Sequence, residues 1–359
     1  MTLEATSNTP LAPLPGVPAT SPHPQLNALL HGAAVASLDQ TGWIRVTGSD
    51  RVRWLNGMAT NSVQDLAPDT GAYNFFLNAQ GRIQGDGNVF ASPSSSPDEL
   101  LIQTSRQQIS TLVPYLDHYI IMDDVELADI SDTHHGLTVI GPQAASLLAQ
   151  LGINADGLNE LELRTLSWNS STLTLIRAHG PFVPRYELWA QNAEDHDHLL
   201  KALEEAGAVS CQSQELNWLR ILEGTSLYAT DIRDRDLPQE TNQTRALHFN
   251  KGCYLGQEIV ERIRSRGNVH RTFTAFLLEG ALPEPGTSLE SAGKPVGELT
   301  SIAAIPLPGT YGPNLQRALG YIRREALERQ QPIQYPGGTA RPASSPFSPA
   351  EIELPAPSI

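Results

Sequence analysis

The change of pattern near His270 constrains the fold of this chain more than any other feature of its sequence. Before it, short β-rich runs alternate with segments whose apolar residues recur at helical spacing. After it, β-rich runs are separated by turns rich in proline and glycine, and helical patterning returns only at 324–329. The sequence therefore predicts an α+β fold, with a body of two subdomains at 27–265 and a C-terminal β-barrel at 270–335.

The two ends of the chain lack this patterning. Residues 1–24 and 336–359 are rich in proline, serine, threonine and alanine, a composition that predicts disorder. No lysine or arginine precedes Arg45, which argues against a secretory or organelle-targeting leader. No apolar run approaches the roughly 18 residues that a membrane-spanning helix needs. We therefore expect a cytoplasmic protein that makes no membrane contact.

Composition excludes several classes of function. The 359 residues carry a formal net charge of −15, which argues against direct nucleic-acid binding through the surface as a whole. The chain has only two cysteines, too few for a disulfide framework or for a metal site of four thiolates.

The segment Lys251–Glu258, which reads KGCYLGQE, carries the strongest chemical signal. It places one of the two cysteines two residues from one of only three lysines, between two glycines. A neighbouring cation favours the thiolate, the reactive form of cysteine. We therefore interpret Cys253 with Lys251 as a reactive centre; the alternative is that Cys253 is a small buried apolar residue. Cys211 has no flanking cation or glycine, and we expect it to be structural.

The window around this segment is net positive within an acidic protein. Such a window suits an anionic ligand, for example the glutamyl tail of a folate, or an acidic protein surface. The alternative is a solvated arginine-rich loop that balances acidic neighbours. Between 245 and 271 the cations are Arg245, Lys251, Arg262, Arg264, Arg266 and Arg271, against only Glu258 and Glu261.

Several segments resemble the glycine-cleavage T-protein (aminomethyltransferase) superfamily and, within it, the YgfZ-like folate-binding proteins of iron–sulfur cluster maintenance. The T-protein itself does not carry the cysteine motif, so the resemblance favours the maintenance branch. The similar segments cover nearly all of 30–325, and the motif around Cys253 is the most specific. The others include Trp54–Gly57, Phe76–Arg82, Arg220–Gly224, Leu237–Glu240, Gly293–Gly297 and Ala318–Ile322.

This resemblance implies a clover-leaf of subdomains around a central folate channel, with tetrahydrofolate as the cofactor. Glu187 matches the family glutamate that holds the pterin, a task that suits a carboxylate because it can accept two parallel N–H bonds. Without the resemblance, Glu187 reads as a solvated residue of a surface strand. Arg220 matches a family arginine near the folate; its alternative is a helix-surface residue paired with Glu215 or Glu223.

Asp86 lies where the aminomethyl-transferring enzymes carry an aspartate beside the folate amine. Those enzymes typically show two adjacent acids, whereas this chain has Gly85-Asp86-Gly87. The departure weakens the expectation of transferase chemistry, although Asp86 could still contact a pterin. The alternative is a turn aspartate between two glycines.

The leading hypothesis is a tetrahydrofolate-binding accessory protein for iron–sulfur cluster assembly or repair, which would affect tRNA modification indirectly. Its partners would be folate and iron–sulfur enzymes or cluster-assembly proteins. No resident metal is expected, but Cys253 could supply one ligand to a transient cluster. The first alternative is a folate-dependent aminomethyltransferase in which Asp86 is central. The second is a non-catalytic folate-sensing scaffold in which Cys253 packs the subdomain junction.

Overall fold

The computed structural model describes residues 23–91, 98–267, 269–308 and 314–349. Its strands gather into two body sheets and a separate closed barrel, and helices accompany the body, so the predicted α+β class with a C-terminal barrel is confirmed. The helices are α1 Pro24–His31, α2 Arg51–Met58, α3 Ile109–Asp117, α4 Ala144–Gln150, α5 Ala193–Glu205, α6 Ser213–Glu223, α7 Gln257–Arg266 and α8 Arg324–Glu328.

The order of strands in the sheets differs from their order in the chain. The first body sheet has the order β3-β4-β5-β2-β6 and the second β11-β1-β7-β10-β9-β8. The strands are β1 Ala34–Ser37, β2 Thr41–Thr47, β3 Gly71–Leu77, β4 Ile83–Ala91, β5 Leu100–Ser105, β6 Glu126–Asp129, β7 His135–Ile140, β8 Leu163–Trp168, β9 Ser171–Ala178, β10 Arg185–Ala190, β11 Val209–Ser210, β12 Arg271–Gly280, β13 Ser288–Ser291, β14 Lys294–Ile305, β15 Leu315–Arg323, β16 Ile333–Tyr335 and β17 Gly338–Ala343.

An aromatic cluster joins the two body sheets. Trp189 of β10 packs edge-on against Trp43 of β2 and Phe90 of β4, with ring centroids 4.5 and 5.3 Å apart. All three rings are buried, and edge-to-face packing of this kind adds to the stabilisation that burial provides. Side chains two residues apart on a strand share a face, so Glu187, which precedes Trp189 by two, points toward the first sheet.

The barrel extends further than the sequence predicts. Strand β17 lies in the predicted disordered tail, yet it pairs with both β12 and β16 and so closes the barrel order β12-β15-β14-β13-β16-β17. The assignment of 336–359 to a disordered tail is therefore wrong for this strand. Without β17, two strand edges would be left with unpaired backbone groups. The other predicted tail, 1–24, falls outside the described residues up to residue 22.

The residues after β17, among them Ser344 and Phe347, attach the barrel to the body. Phe347 is buried, and its backbone N–H donates to the carbonyl oxygen of Leu222 in α6 at 2.7 Å. Arg317 of β15, which is fully buried, donates from Nε to the carbonyl oxygen of Ile221 at 3.1 Å and from Nη2 to that of Ser344. Because the bonds to Ile221 and Leu222 satisfy carbonyl groups at the end of α6, they hold the barrel against that helix.

Candidate functional site

Lys251 anchors the cysteine segment to the end of helix α2. Its Nζ donates three bonds of 2.7 Å, to the carbonyl oxygens of Asn56, Ala59 and Asn61. The last carbonyls of a helix have no partner within it, and an ammonium group both satisfies them and complements the helix dipole. Burial lowers the pKa of Lys251 to about 8, and the negative charge of Asp65 opposes that shift. With all three N–H groups engaged, Lys251 has no donor left for the Cys253 thiol.

Cys253 is held at the exposed apex of this segment. The segment has a second attachment two residues later, where the backbone N–H of Leu255 donates to the carbonyl oxygen of Gly57 at 2.9 Å. Tyr254 between them is buried, whereas Cys253 is exposed and unbridged. The interpretations in which Cys253 is buried or packs a subdomain junction are therefore wrong. Cys211 is buried, and burial raises the pKa of its thiol to about 12, which agrees with a structural role.

The two glycines of the segment play different structural parts. Gly256 has a φ of +82°, and a Cβ there would lie 2.6 Å from the carbonyl oxygen of Asn78 in the β3–β4 hairpin. A Cβ on Gly252 would meet no heavy atom within 4 Å. Gly256 thus allows the hairpin to approach the start of α7, while Gly252 leaves the surface beside Cys253 open.

We expect Gly256→Ala to lower the free energy of unfolding by about 2 kcal/mol, because it adds backbone strain and a clash. Gly252→Ala is the matched control and should change it by less than about 0.5 kcal/mol. Urea unfolding of both variants measures the difference. Equal effects of the two variants would show that the packing of the hairpin does not depend on the absence of a Cβ at Gly256.

Glu187 lies in the interior between the two body sheets. Its Oε2 accepts from Gln103 Nε2 of β5 at 2.6 Å and from Trp189 Nε1 at 2.9 Å. The residue is buried, so the interpretation of a solvated strand residue is wrong. Burial raises the pKa of Glu187, while the two donors oppose the shift. Among the hydrogen bonds of the described residues, none reaches Glu187 Oε1.

Asp86 lies within strand β4 rather than in a turn. Its Oδ2 accepts from the Tyr73 hydroxyl at 2.6 Å and its Oδ1 from Gln108 Nε2 at 2.7 Å. Asp86 pairs with Phe75 across the β3–β4 ladder, so the interpretation of a turn aspartate is wrong. Burial raises the pKa of Asp86, against the effect of these two hydrogen bonds. Both of its oxygens are engaged by protein donors.

Arg220 of α6 links this helix to the barrel through hydrogen bonds. Its Nη1 donates to the fully buried Asp231 at 2.6 Å and to the carbonyl oxygen of Thr225 at 2.9 Å. Nε and Nη2 share Asn217 Oδ1, and Nη2 also donates to Ser301 of β14 at 2.8 Å. All five N–H groups have partners within the protein. Arg220 therefore has no free N–H group for the predicted direct contact with a folate. Its acidic partner is Asp231 and not Glu215 or Glu223, as the alternative predicts.

Two arginines beside these carboxylates have nitrogens without partners. Arg245 lies over the Tyr73 ring, 4.0 Å from its centroid and 3.8 Å from Glu160, and its buried Nε donates to no partner among the described residues. Arg185 of β10 donates from Nη2 to Glu223 at 3.2 Å, and its buried Nε is likewise unpartnered. We name Glu187, Asp86, Tyr73, Arg185 and Arg245 the polar hub. In the sequence Arg245 is only one cation of the basic window and Arg185 is not predicted as a site residue, although its two-residue spacing from Glu187 puts both on one face of β10.

The predicted basic window is largely neutralised by ion pairs. Most of its cations contact an acidic side chain, so the excess of positive charge in the sequence does not become an open basic surface. The two pairs within helix α7 are exposed and add little stability, whereas Asp236 and Glu240, the partners of Arg271, are buried. The pairs are Arg262 with Glu258, Arg264 with Glu261, Arg271 with Asp236 and Glu240, and Arg245 with Glu160.

Metal-ligand clusters and membrane-spanning helices are both absent from the ranges that the structure describes. No group of three histidine, cysteine or acidic side chains in those ranges could hold a metal ion. No helix in the same part of the chain is long and apolar enough to cross a membrane.

Comparison with known proteins places this arrangement in a family. Residues 23–251 match the model of the GCVT N-terminal domain. An iron–sulfur cluster assembly factor IBA57 homologue from Aspergillus oryzae, named as mitochondrial, is 29% identical over 77% of this chain and 63% of its own length. The tRNA-modifying protein YgfZ of Vibrio vulnificus is 28% identical over 72% of this chain and 74% of its own.

Transferases are similar to a comparable degree. The aminomethyltransferase of Thermus thermophilus is 26% identical over 89% of this chain and 88% of its own length. The crystal structure of the glycine cleavage system aminomethyltransferase T from Bartonella henselae superposes with a TM-score of 0.77 at 17% identity, covering 92% of this chain and 91% of that one. At that identity the superposition shows the shared fold alone. Because the family model spans well over half of its residues, this chain belongs to the GCVT N-terminal domain family.

Proposed function

We propose that this protein binds tetrahydrofolate and acts as an accessory factor in the assembly or repair of iron–sulfur clusters. The observation that carries the folate part is the buried Glu187 carboxylate. Its Oε2 is oriented by Gln103 and Trp189, and Oε1 takes no bond from the described residues. The aminopyrimidine edge of a pterin presents adjacent N–H donors that such a carboxylate can accept. Held in place by Gln103 and Trp189, this carboxylate keeps acceptor capacity on Oε1 for a ligand of this kind.

The hub arginines supply the opposite charge. Arg185 Nε and Arg245 Nε are buried donors without partners, and both guanidinium groups lie beside the carboxylates of the hub. Arginine binds carboxylates through two parallel N–H bonds. A folate carries both kinds of group, since its pterin donates N–H bonds and its glutamate presents carboxylates. Arg220 would act in this proposal as a positioning residue, through its bonds to Asp231 and Ser301.

Cys253 supports the iron–sulfur part of the proposal. Its thiol is exposed at the apex of a segment that is fixed at Lys251 and Leu255. A single thiolate can supply one ligand to a cluster, so the others would come from a partner protein or a small molecule. The Aspergillus relative is named for iron–sulfur cluster assembly and the Vibrio relative for tRNA modification, and both names fit this proposal. The effect on tRNA modification would be indirect.

The second candidate is a folate-dependent aminomethyltransferase. The position of Asp86 favours it, because this carboxylate lies in the polar hub and burial raises its pKa. Against it, Tyr73 and Gln108 already occupy both oxygens of Asp86, and Gly85 replaces the second acid that the transferases typically show.

The cytoplasmic compartment stays a prediction, since one relative is named as mitochondrial.

The test is complementation of cells that lack a factor of this kind. We expect wild-type protein and Cys211→Ala to restore the activity of iron–sulfur enzymes and the modified tRNA bases, and Cys253→Ala to fail. Cys211→Ala is the control because it removes the other, buried thiol. Full rescue by Cys253→Ala would remove the main support for the iron–sulfur role. Folate-dependent release of formaldehyde equivalents from an aminomethylated carrier, abolished by Asp86→Asn, would establish the transferase instead.

A further inference from the structure

Three side chains on three neighbouring strands form a relay that ends at Glu187. Asn88 of β4 donates from Nδ2 to Gln103 Oε1 of β5 at 2.9 Å. Gln103 in turn donates from Nε2 to Glu187 Oε2 of β10 at 2.6 Å. Asn88 and Gln103 are direct neighbours in the β4–β5 ladder, so the first step is a cross-strand pair.

The direction of this relay is fixed by its far end. The indole N–H of Trp189 can only donate, so Glu187 Oε2 accepts at that end, and the carboxylate accepts from Gln103 as well. Gln103 therefore turns its amide nitrogen toward Glu187 and its oxygen toward Asn88. Asn88 must then present its nitrogen to Gln103, which leaves its own oxygen facing away from the relay. The orientation of the Asn88 amide is thus a consequence of its neighbours.

The Asn88 oxygen is the unpaired end of the relay. Asn88 Oδ1 is buried and has no hydrogen-bond partner among the residues that the structure describes. Asn88 follows Asp86 by two residues on β4, so the two side chains share the face that turns toward the polar hub. Buried acceptors are nearly always paired, and an unpaired one beside a candidate ligand site points to a donor supplied by the ligand.

We propose that Asn88 Oδ1 is a second acceptor for the ligand, which takes an N–H of the aminopyrimidine ring beside the bonds made by Glu187. This inference rests on the proposed binding of tetrahydrofolate. It makes Asn88 a specificity residue, since a site with two fixed acceptors rejects a ring that lacks the matching donors. It also gives Gln103 a positioning role, because Gln103 sets which atom of Asn88 faces the ligand.

Wild-type protein and Asn88→Leu, each measured with two ligands, form a thermodynamic cycle that tests whether Asn88 contacts the ligand. The ligands are tetrahydrofolate and an analogue in which a methyl group replaces the 2-amino group, and binding is measured by isothermal titration calorimetry. We expect Asn88→Leu to weaken tetrahydrofolate binding about tenfold. We expect it to reduce the preference for tetrahydrofolate over the analogue by a similar factor. Asn88→Ala, which adds no branched bulk, is the second variant, and unfolding curves establish that both are folded.

The control is Gln316→Leu in the barrel. Gln316 also has a buried, unpartnered amide oxygen, but it lies in strand β15 away from the hub, and its replacement should leave both affinities unchanged. If wild-type protein binds tetrahydrofolate but both Asn88 variants bind the two ligands as wild type does, the assignment of Asn88 is overturned and the proposed function stands. An equal loss for both ligands would also overturn the direct contact. If wild-type protein binds neither ligand, the folate proposal itself fails.

Discussion

Glu187→Gln is expected to weaken tetrahydrofolate binding about thirtyfold while leaving the folded state as stable as wild type or more stable at pH 7. The binding loss follows because a bond to a charged acceptor contributes about 1.5–3 kcal/mol. The stability result follows from burial, which raises the pKa of this carboxyl group above its ordinary value. The folded state then holds the proton more strongly than the unfolded state, so ionised Glu187 reduces stability as pH rises through the raised pKa. Glutamine removes that charge.

Glu223→Gln is the matched contrast. Glu223 is also buried, but its carboxylate contacts Arg185 at 3.2 Å. Burial raises the pKa of Glu223 too, with Arg185 opposing the shift, so loss of the charge and loss of the pair with the half-buried Arg185 act in opposite directions. This variant should therefore lose about 1 kcal/mol of stability at most. Calorimetric titration and urea unfolding of both variants measure the two effects. A Glu187→Gln variant that binds tetrahydrofolate as wild type does would remove Glu187 from the proposed site.

Lys251→Met is expected to lower the free energy of unfolding by about 3 kcal/mol and to release the segment that carries Cys253. The methionine would leave the carbonyl oxygens of Asn56, Ala59 and Asn61 without their donor, and an unpaired buried acceptor costs about 1–3 kcal/mol. Lys251→Arg should lose part of this stability, because a planar guanidinium group cannot direct three N–H groups to these three oxygens. Chymotrypsin cleavage after the buried Tyr254 reports release of the segment.

Lys201→Met is the control for this prediction. Lys201 is exposed and makes only a 3.8 Å pair with Glu205 one helical turn away, so its loss should change stability by less than about 0.5 kcal/mol. Unchanged stability and proteolysis in Lys251→Met would contradict the anchoring role.

The pH dependence of the Lys251 effect has a definite sign. Burial lowers the pKa of Lys251 to about 8 from its ordinary 10.5, so between these values the unfolded state binds more protons than the folded state. Stability from this group therefore rises with pH in that window. Relative to Lys251→Met, wild-type protein should gain stability between pH 8 and pH 10, measured by urea unfolding at each pH. A difference in unfolding free energy between the two proteins that does not change with pH would contradict the lowered pKa of Lys251.

Local patterning was sufficient to predict the body and most of the barrel. The hairpin around Asn78–Gly81 was predictable because its turn needs a residue with positive φ, and Gly81 has a φ of +70°. Strand β17 was missed because its pairing depends on β12 and β16, and a short strand next to prolines has no strong local pattern. Propensity is a local property, whereas closure of a barrel is a long-range one.

The sequence alone determined that Cys253 and Lys251 lie together in a rare motif, and that Glu187 belongs to a strand that resembles a folate-binding one. The surroundings of these residues depend on the tertiary structure. It directs the Lys251 ammonium to three carbonyl oxygens of the α2 end, engages every donor of Arg220, and brings Asn88, Gln103 and Glu187 into one relay. Some of these partners lie more than 80 residues apart in the chain, such as Gln103 with Glu187 and Lys251 with Asn56. Such pairs are set by how sheets and helices pack, and no local pattern records that packing.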